Sequence, residues 1–286
     1  MSDLFHILFL GDVVGRPGRR AVTNFLNKIE NDFESIKNQG LMEVKPDFVI
    51  VNVENASHGF GLTRKNHGEF CELPIDLLTS GNHIWDKKEV FEYIEYSEKL
   101  IRPLNYPDSV PGVGYRIVEK DGIKIAVVNL LGKVFMPDID SPWDALEKVL
   151  PAIKEQANIV IIDYHAEATA EKMAFAYFAD DLGVSAFFGT HTHVQTADEK
   201  ILKNGCAYIT DAGFCGSSES VIGMEFDNSY KRLRTYLPER FDVADLDVVE
   251  VNGMIASIDK NTFCAAAVKR IKYVIDFKKE KENMEG

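Results

Sequence analysis

Short apolar runs alternate with amphipathic stretches along the chain, a pattern that predicts an α/β protein with strands in the middle and helices outside. The first run covers residues 5–10 and leads through a turn into a helical pattern over about 19–37. Runs at 48–53 and near 77–79 have the length of buried strands. Strands are predicted at 114–119 and 124–131, joined by Asp121-Gly122, a pair that tolerates the positive φ of a two-residue hairpin. Ser141 as N-cap and Pro142 at the first helical position mark a helix over 143–157. Buried strands at 159–163 and 184–188 flank a helix at 169–180. The last third predicts strands at 207–210, 247–251 and 254–259, with a charged stretch at 230–240. With no internal repeat and no Gly-, Pro- or Ser-rich linker, one domain over 1–277 is expected, followed by a frayed charged tail at 278–286.

Composition narrows the class. Of 286 residues, 45% are hydrophobic and 27% charged, as in ordinary globular proteins. No apolar stretch approaches the ~20 residues of a membrane span. The opening MSDLFHILFLGDVVG has an acid before its apolar run and no small-residue cleavage site, so it reads as a first strand. Cys71, Cys206, Cys215 and Cys264 are scattered, which fits a reducing cytoplasmic setting. The formal net charge of −13 argues against a broad groove for nucleic acid. A small anionic substrate then needs a site with its own positive charge, which metal ions would supply.

The chemistry-bearing residues fall where the apolar runs stop. The five runs end in Gly11-Asp12, Glu54-Asn55, Gly81-Asn82-His83, Tyr164-His165 and Gly189-Thr190-His191-Thr192-His193. In an open α/β sheet, ligands bind beyond the carboxyl ends of the strands, so these residues would converge. Nearby glycines let the backbone come close to a bound group. His191 and His193, two apart, would put both rings on one side of an extended segment. A lone Asp after a strand is an ordinary cap, and an Asn-His pair is an ordinary loop; the specificity lies in the joint pattern. Mixed nitrogen and oxygen donors without thiolate suit iron, manganese, cobalt or zinc better than calcium.

The series Gly11-Asp12, Glu54-Asn55, Gly81-Asn82-His83, His165 and GTHTH at 189–193 resembles the calcineurin-like metallophosphoesterase superfamily. The stretches LGDVVGRPGR, VNVENASHGFG, TSGNHIWD, DYHAEATAEK, GTHTHVQTADE and YITDAGFCG look like its YmdB-like bacterial phosphodiesterase branch, over about residues 5–275. The resemblance implies a four-layer sandwich of two central β-sheets flanked by helices. It implies two divalent ions, iron or manganese, held by Asp12, Glu54, Asn82, His165, His191 and His193. It also implies hydrolysis of a small phosphoester, of the 2′,3′-cyclic nucleotide type, by a metal-bridging hydroxide. Two positions depart from the wider superfamily: Val14 stands where many members carry a ligand histidine, and Glu54 stands for the usual bridging Asp. Asn55 is the candidate to supply the missing ligand.

His83, one residue past a ligand, is the candidate general acid for the leaving oxygen. Residues that contact the rest of the substrate are not assigned. Arg16, Arg64 and Arg102 could hold the anionic group of a substrate, but lone arginines are usually solvated, so they stay outside the core set. His6 reads as packed in the first strand, His67 as a surface residue, and His58 as a neighbour of the Glu54 loop. Two other readings stand beside the phosphodiesterase: a phosphomonoesterase, and a regulatory metal-binding protein with weak turnover that acts through a partner. Intact His83 favours an enzyme. A membrane partner is not expected, and a homo-oligomer is left open.

Overall fold

The structure is a computed structural model and describes residues 3–285. In chain order its elements begin with β1 (Leu4–Leu10), β2 (Asp12–Val13), α1 (Gly15–Asn31), α2 (Phe33–Asn38), β3 (Phe48–Asn52), α3 (Arg64–Cys71) and β4 (Leu77–Thr79). The middle holds β5 (Tyr115–Lys120), β6 (Ile123–Leu131), α4 (Pro142–Lys154), β7 (Ile159–His165), α5 (Thr169–Asp181) and β8 (Ala186–Thr190). Then come β9 (Lys200–Ile201), β10 (Ala207–Ile209), β11 (Phe214–Ser217), α6 (Phe226–Thr235), β12 (Val248–Asp259), β13 (Ala265–Asp276) and α7 (Phe277–Glu285).

Two mixed sheets stack face to face. One runs β2-β11-β12-β1-β3-β4 with β13 also on β12, and the other runs β5-β6-β7-β8-β10-β9. Alternation along each strand divides the apolar residues between two faces. Phe5, Ile7 and Phe9 of β1 join Ile159, Ile161 and Phe188 of the other sheet in a core between the sheets. Leu8 and Leu10 point the other way, onto Val22, Phe25 and Leu26 of α1. The outer face of the second sheet packs Val160 and Ile162 against Leu146 and Leu150 of α4 and Phe175 of α5. The result is the expected helix–sheet–sheet–helix sandwich. Phe9 and Phe188 stack across its centre, ring centroids 4.5 Å apart.

Strand direction places the site. β1, β3 and β4 are parallel neighbours, as are β6, β7 and β8. Their carboxyl ends therefore lie along one edge of the sandwich. The Asp121-Gly122 hairpin and the Ser141 cap form as expected; the Ser141 side chain accepts from the Asp144 N–H.

Some elements differ from expectation. The helix over 19–37 breaks at Asp32, giving α1 and α2. The strands expected at 247–251 and 254–259 are one strand, β12. Gly253 interrupts the sequence pattern but not the strand, because a Cβ there would stand 2.2 Å from the Phe9 carbonyl oxygen. The glycine allows close pairing rather than a turn. β13 was not foreseen; it covers β12 in register over nearly its full length. The charged stretch at 230–240 begins inside α6. The tail expected to fray from 278 is helical as α7, where Glu280 pairs with Lys28 at 2.7 Å and Phe277 lies under Arg20.

Candidate metal centre

The five strand ends bring the seven candidate donors together. Asp12 follows β1 through Gly11, Glu54 and Asn55 follow β3, and Asn82 follows β4. From the second sheet, His165 closes β7 while His191 and His193 follow β8. Asp12, Glu54 and His165 are completely buried. Two donor clusters result, Glu54 with His165 and His191, and Asp12 with Glu54 and His193; Glu54 belongs to both.

The first cluster centres on His165 Nε2. It lies 3.1 Å from Glu54 Oε1, 3.1 Å from Asn82 Oδ1 and 3.0 Å from His191 Nδ1. Neighbouring donors at right angles around one ion, with bonds of about 2.1 Å, sit about 3.0 Å apart. In the second cluster, Asn55 Nδ2 is 3.0 Å from both Glu54 Oε1 and His193 Nε2. Asn55 Oδ1 and Asp12 Oδ1 are buried without a hydrogen-bond partner. Turning the Asn55 amide over would present its oxygen where the nitrogen stands.

The outward nitrogen of each imidazole fixes its tautomer. His165 Nδ1 donates to Thr190 Oγ1 at 2.9 Å, and that hydroxyl donates on to Asp163 at 2.7 Å. His193 Nδ1 donates to the Ile222 carbonyl at 2.9 Å. His191 Nε2 stands 3.1 Å from a Glu167 carboxylate oxygen. All three rings thus turn their second nitrogen inward, and on His165 that nitrogen would give up its proton to a bound cation. The buried carboxylates point the same way, because unpaired charge without water is costly. Burial pushes the pKa of Asp12 up, and burial also pushes Asp163 up to about 7. For Glu54 and His165, burial opposes ionisation, but their mutual attraction outweighs it, holding Glu54 low and His165 high. The residues present fit two divalent cations.

His191 and His193 do not share one side of an extended segment. Their φ values are +100° and +64°, so the chain after β8 coils and sends the two rings to different clusters. Left-handed backbone at two non-glycine residues costs about 1–3 kcal/mol each, a strain typical of functional sites. Gly81 also has a stereochemical role: a Cβ there would lie 2.2 Å from Glu54 Oε2 and 2.5 Å from His165 Nε2.

His83 borders the clusters. Its N–H donates to Glu54 Oε2 at 3.2 Å, its Nδ1 meets Asp86 at 2.9 Å, and the edge of its ring faces Phe60. A cleft of about 300 Å³ opens over these groups, lined also by Glu167, Ile222, Met224 and Phe241. Other candidates stay outside. His6 is packed against Ser257, and exposed His58 lines a neighbouring cleft with Arg16. His67, expected on the surface, is half-buried and bonded to Ser97. Arg64 pairs with Glu92, and Arg102 is buried with its guanidinium donating to backbone carbonyls.

Sequence reasoning missed Glu167, the Ile222 carbonyl and the buried Lys172–Asp211 pair. That pair, 2.6 Å apart, braces the Thr190 carbonyl and the Thr192 N–H on either side of His191. Glu167 could have been found two residues past His165; the carbonyl left no signal in the sequence.

The family model described as YmdB-like protein matches residues 8–271. The chain belongs to the YmdB-like family. A Bacillus subtilis member, named 2′,3′-cyclic-nucleotide 2′-phosphodiesterase, is 41% identical over 93% of this chain and 96% of its own. A Mycoplasma pneumoniae structure described as a novel phosphatase superposes with TM-score 0.84 at 34% identity, over 99% of this chain and 98% of that one. A hypothetical protein of Thermus thermophilus gives TM-score 0.83 at 36% identity, covering 95% of this chain and 100% of that one. The YmdB-like chain thus shares the α/β sandwich of these two structures over nearly its whole length. Among its described residues no helix is long and apolar enough to cross a membrane.

Proposed function

We propose that this chain is a metal-dependent phosphodiesterase acting on 2′,3′-cyclic nucleotides. Its family and its phosphodiesterase and phosphatase relatives make it a phosphoester hydrolase. The observation that carries the reading is the pair of donor clusters sharing Glu54. One ion would take Glu54, Asn82, His165 and His191; the other would take Asp12, Glu54, Asn55 and His193. These mixed nitrogen and oxygen donors suit a first-row transition metal, and the family resemblance narrows our reading to iron or manganese. When bound, the ions would supply the positive charge and the acidified water that ester hydrolysis needs.

The chain's own groups do the rest. Asp86 holds His83 Nδ1, so Nε2 is the atom that delivers a proton to the leaving oxygen. Phe60 restrains the ring from its side. Glu167 holds His191, the Ile222 carbonyl holds His193, and Thr190 holds His165, so the inward nitrogens keep their aim. A cytoplasmic location is part of the reading and is supported by four free cysteines.

The test is elemental analysis of the purified protein with a screen of phosphomonoesters and phosphodiesters. About two transition-metal ions per chain and preference for a 2′,3′-cyclic nucleotide are expected. Preference for monoesters at full metal content would replace the diesterase with a monoesterase.

A further inference from the structure

The cleft over the metal centre has two unlike linings. Glu54, His83 and the histidines make one part, whereas Phe60, Ile222, Met224 and Phe241 make the other. Such a cleft suits a ligand that is anionic at one end and flat and apolar at the other.

Ile222 is conformationally out of place. It begins a two-residue turn between Val221 and Met224, whose backbones exchange hydrogen bonds of 2.9 Å in both directions. Both turn residues have positive φ, +51° at Ile222 and +95° at Gly223. Asn, Asp or Gly suits the first position of such a turn, and a β-branched residue there is an outlier. Core packing does not account for it, since Ile222 is 48% exposed. What surrounds the turn holds it firmly. Met224 packs with Val14 and Phe214, and a Cβ on Gly223 would stand 2.7 Å from Val14 Cγ1. Val14, a residue unable to bind metal, therefore serves as the seat of this turn. The Ile222 carbonyl meanwhile accepts the hydrogen bond from His193 Nδ1.

We propose that the Ile222 turn is a specificity element: its side chain, with Phe241, gives the substrate's nucleobase an apolar surface, while its carbonyl positions His193. The strain is kept because a polar or absent side chain at this position would leave the base unsupported. This rests on the phosphodiesterase reading and adds the part of the substrate that is recognised.

The test compares a 2′,3′-cyclic nucleotide with the 2′,3′-cyclic phosphate of ribose lacking a base. Ile222→Asn keeps the carbonyl and suits the positive φ, so its Tm should rise by about 2–4 °C. Its preference for the nucleotide, as a ratio of kcat/KM values, should nevertheless fall about tenfold, through KM rather than kcat. Phe241→Ala should show the same loss of preference without the gain in Tm. A wild-type preference retained in both variants overturns the proposal. Equal loss of kcat on both substrates with falling metal content also overturns it, since the turn would then act only through His193. Wild-type protein that hydrolyses both substrates equally well overturns this inference alone, whereas hydrolysis of neither overturns the phosphodiesterase reading beneath it.

Discussion

Gly81→Ala isolates the geometry of the centre with a single methyl group. The backbone at Gly81 is not in the left-handed region, so alanine adds no strain of its own. The added Cβ would lie 2.2 Å from Glu54 Oε2, 2.4 Å from His165 Cδ2 and 2.5 Å from His165 Nε2. Ordinary carbon contacts begin well above 3 Å, so Glu54 or His165 must retreat by about 1 Å. Both side chains are buried, so either movement disturbs the hydrogen bonds that hold the two donors against each other. Overpacking of this kind costs about 1–3 kcal/mol, within a stability of about 5–15 kcal/mol, so the protein should remain folded. A 1 Å displacement in a reacting constellation costs about 10²-fold, and here it falls on the donor shared by both clusters. The expected result is a folded protein with kcat/KM down by 10²-fold or more and reduced metal content. Circular dichroism, elemental analysis and diester turnover read the three quantities. Gly68→Ala, in α3 where a Cβ meets nothing within 4 Å, is the control. Near-normal metal content and turnover in Gly81→Ala would refute the packing argument.

Three further outcomes are expected. His83→Ala should slow a cyclic nucleotide by about 10²–10⁴-fold and an aryl diester much less, because only the ribose alkoxide needs a proton; equal losses would move His83 from proton delivery to positioning. His191→Ala and His193→Ala should each lower metal content in a folded protein, and full occupancy in both would remove them from the ligand set. Burial lowers the pKa of His67 below its usual 6.5. The unfolded chain then takes up that proton first, so stability falls as pH drops below about 6.5; His67→Gln should flatten the decline in Tm between pH 7 and 5, and an unchanged slope would contradict the assignment.

The strand ends carrying the centre were legible because two signals coincide there: a buried run long enough for a strand, and a metal-competent residue just past it. Asp12, Glu54, Asn82, His165, His191 and His193 all lie where that rule puts them, and the structure assembles them. The tautomer of each histidine was not legible, because it depends on Glu167, Thr190 and a carbonyl 29 residues beyond His193. The extended reading of the His191–His193 segment failed for another reason: both residues take positive φ, which spacing alone does not reveal. β13 escaped notice because its sequence, AAAVKRIKYVID, alternates cleanly only at Ile271, Tyr273 and Ile275. Gly253 resembled a break because sequence cannot tell a glycine that turns from one that admits a neighbouring backbone.

The central claim is two cations held by two clusters that share Glu54. Metal stoichiometry of wild-type protein and Glu54→Gln, measured on folded samples beside diester turnover, tests it most directly. About two ions per wild-type chain, with both sites weakened and turnover largely lost in the variant, is the predicted result, since a neutral amide cannot hold two cations together. A Glu54→Gln protein that keeps both ions and near-normal turnover would contradict it.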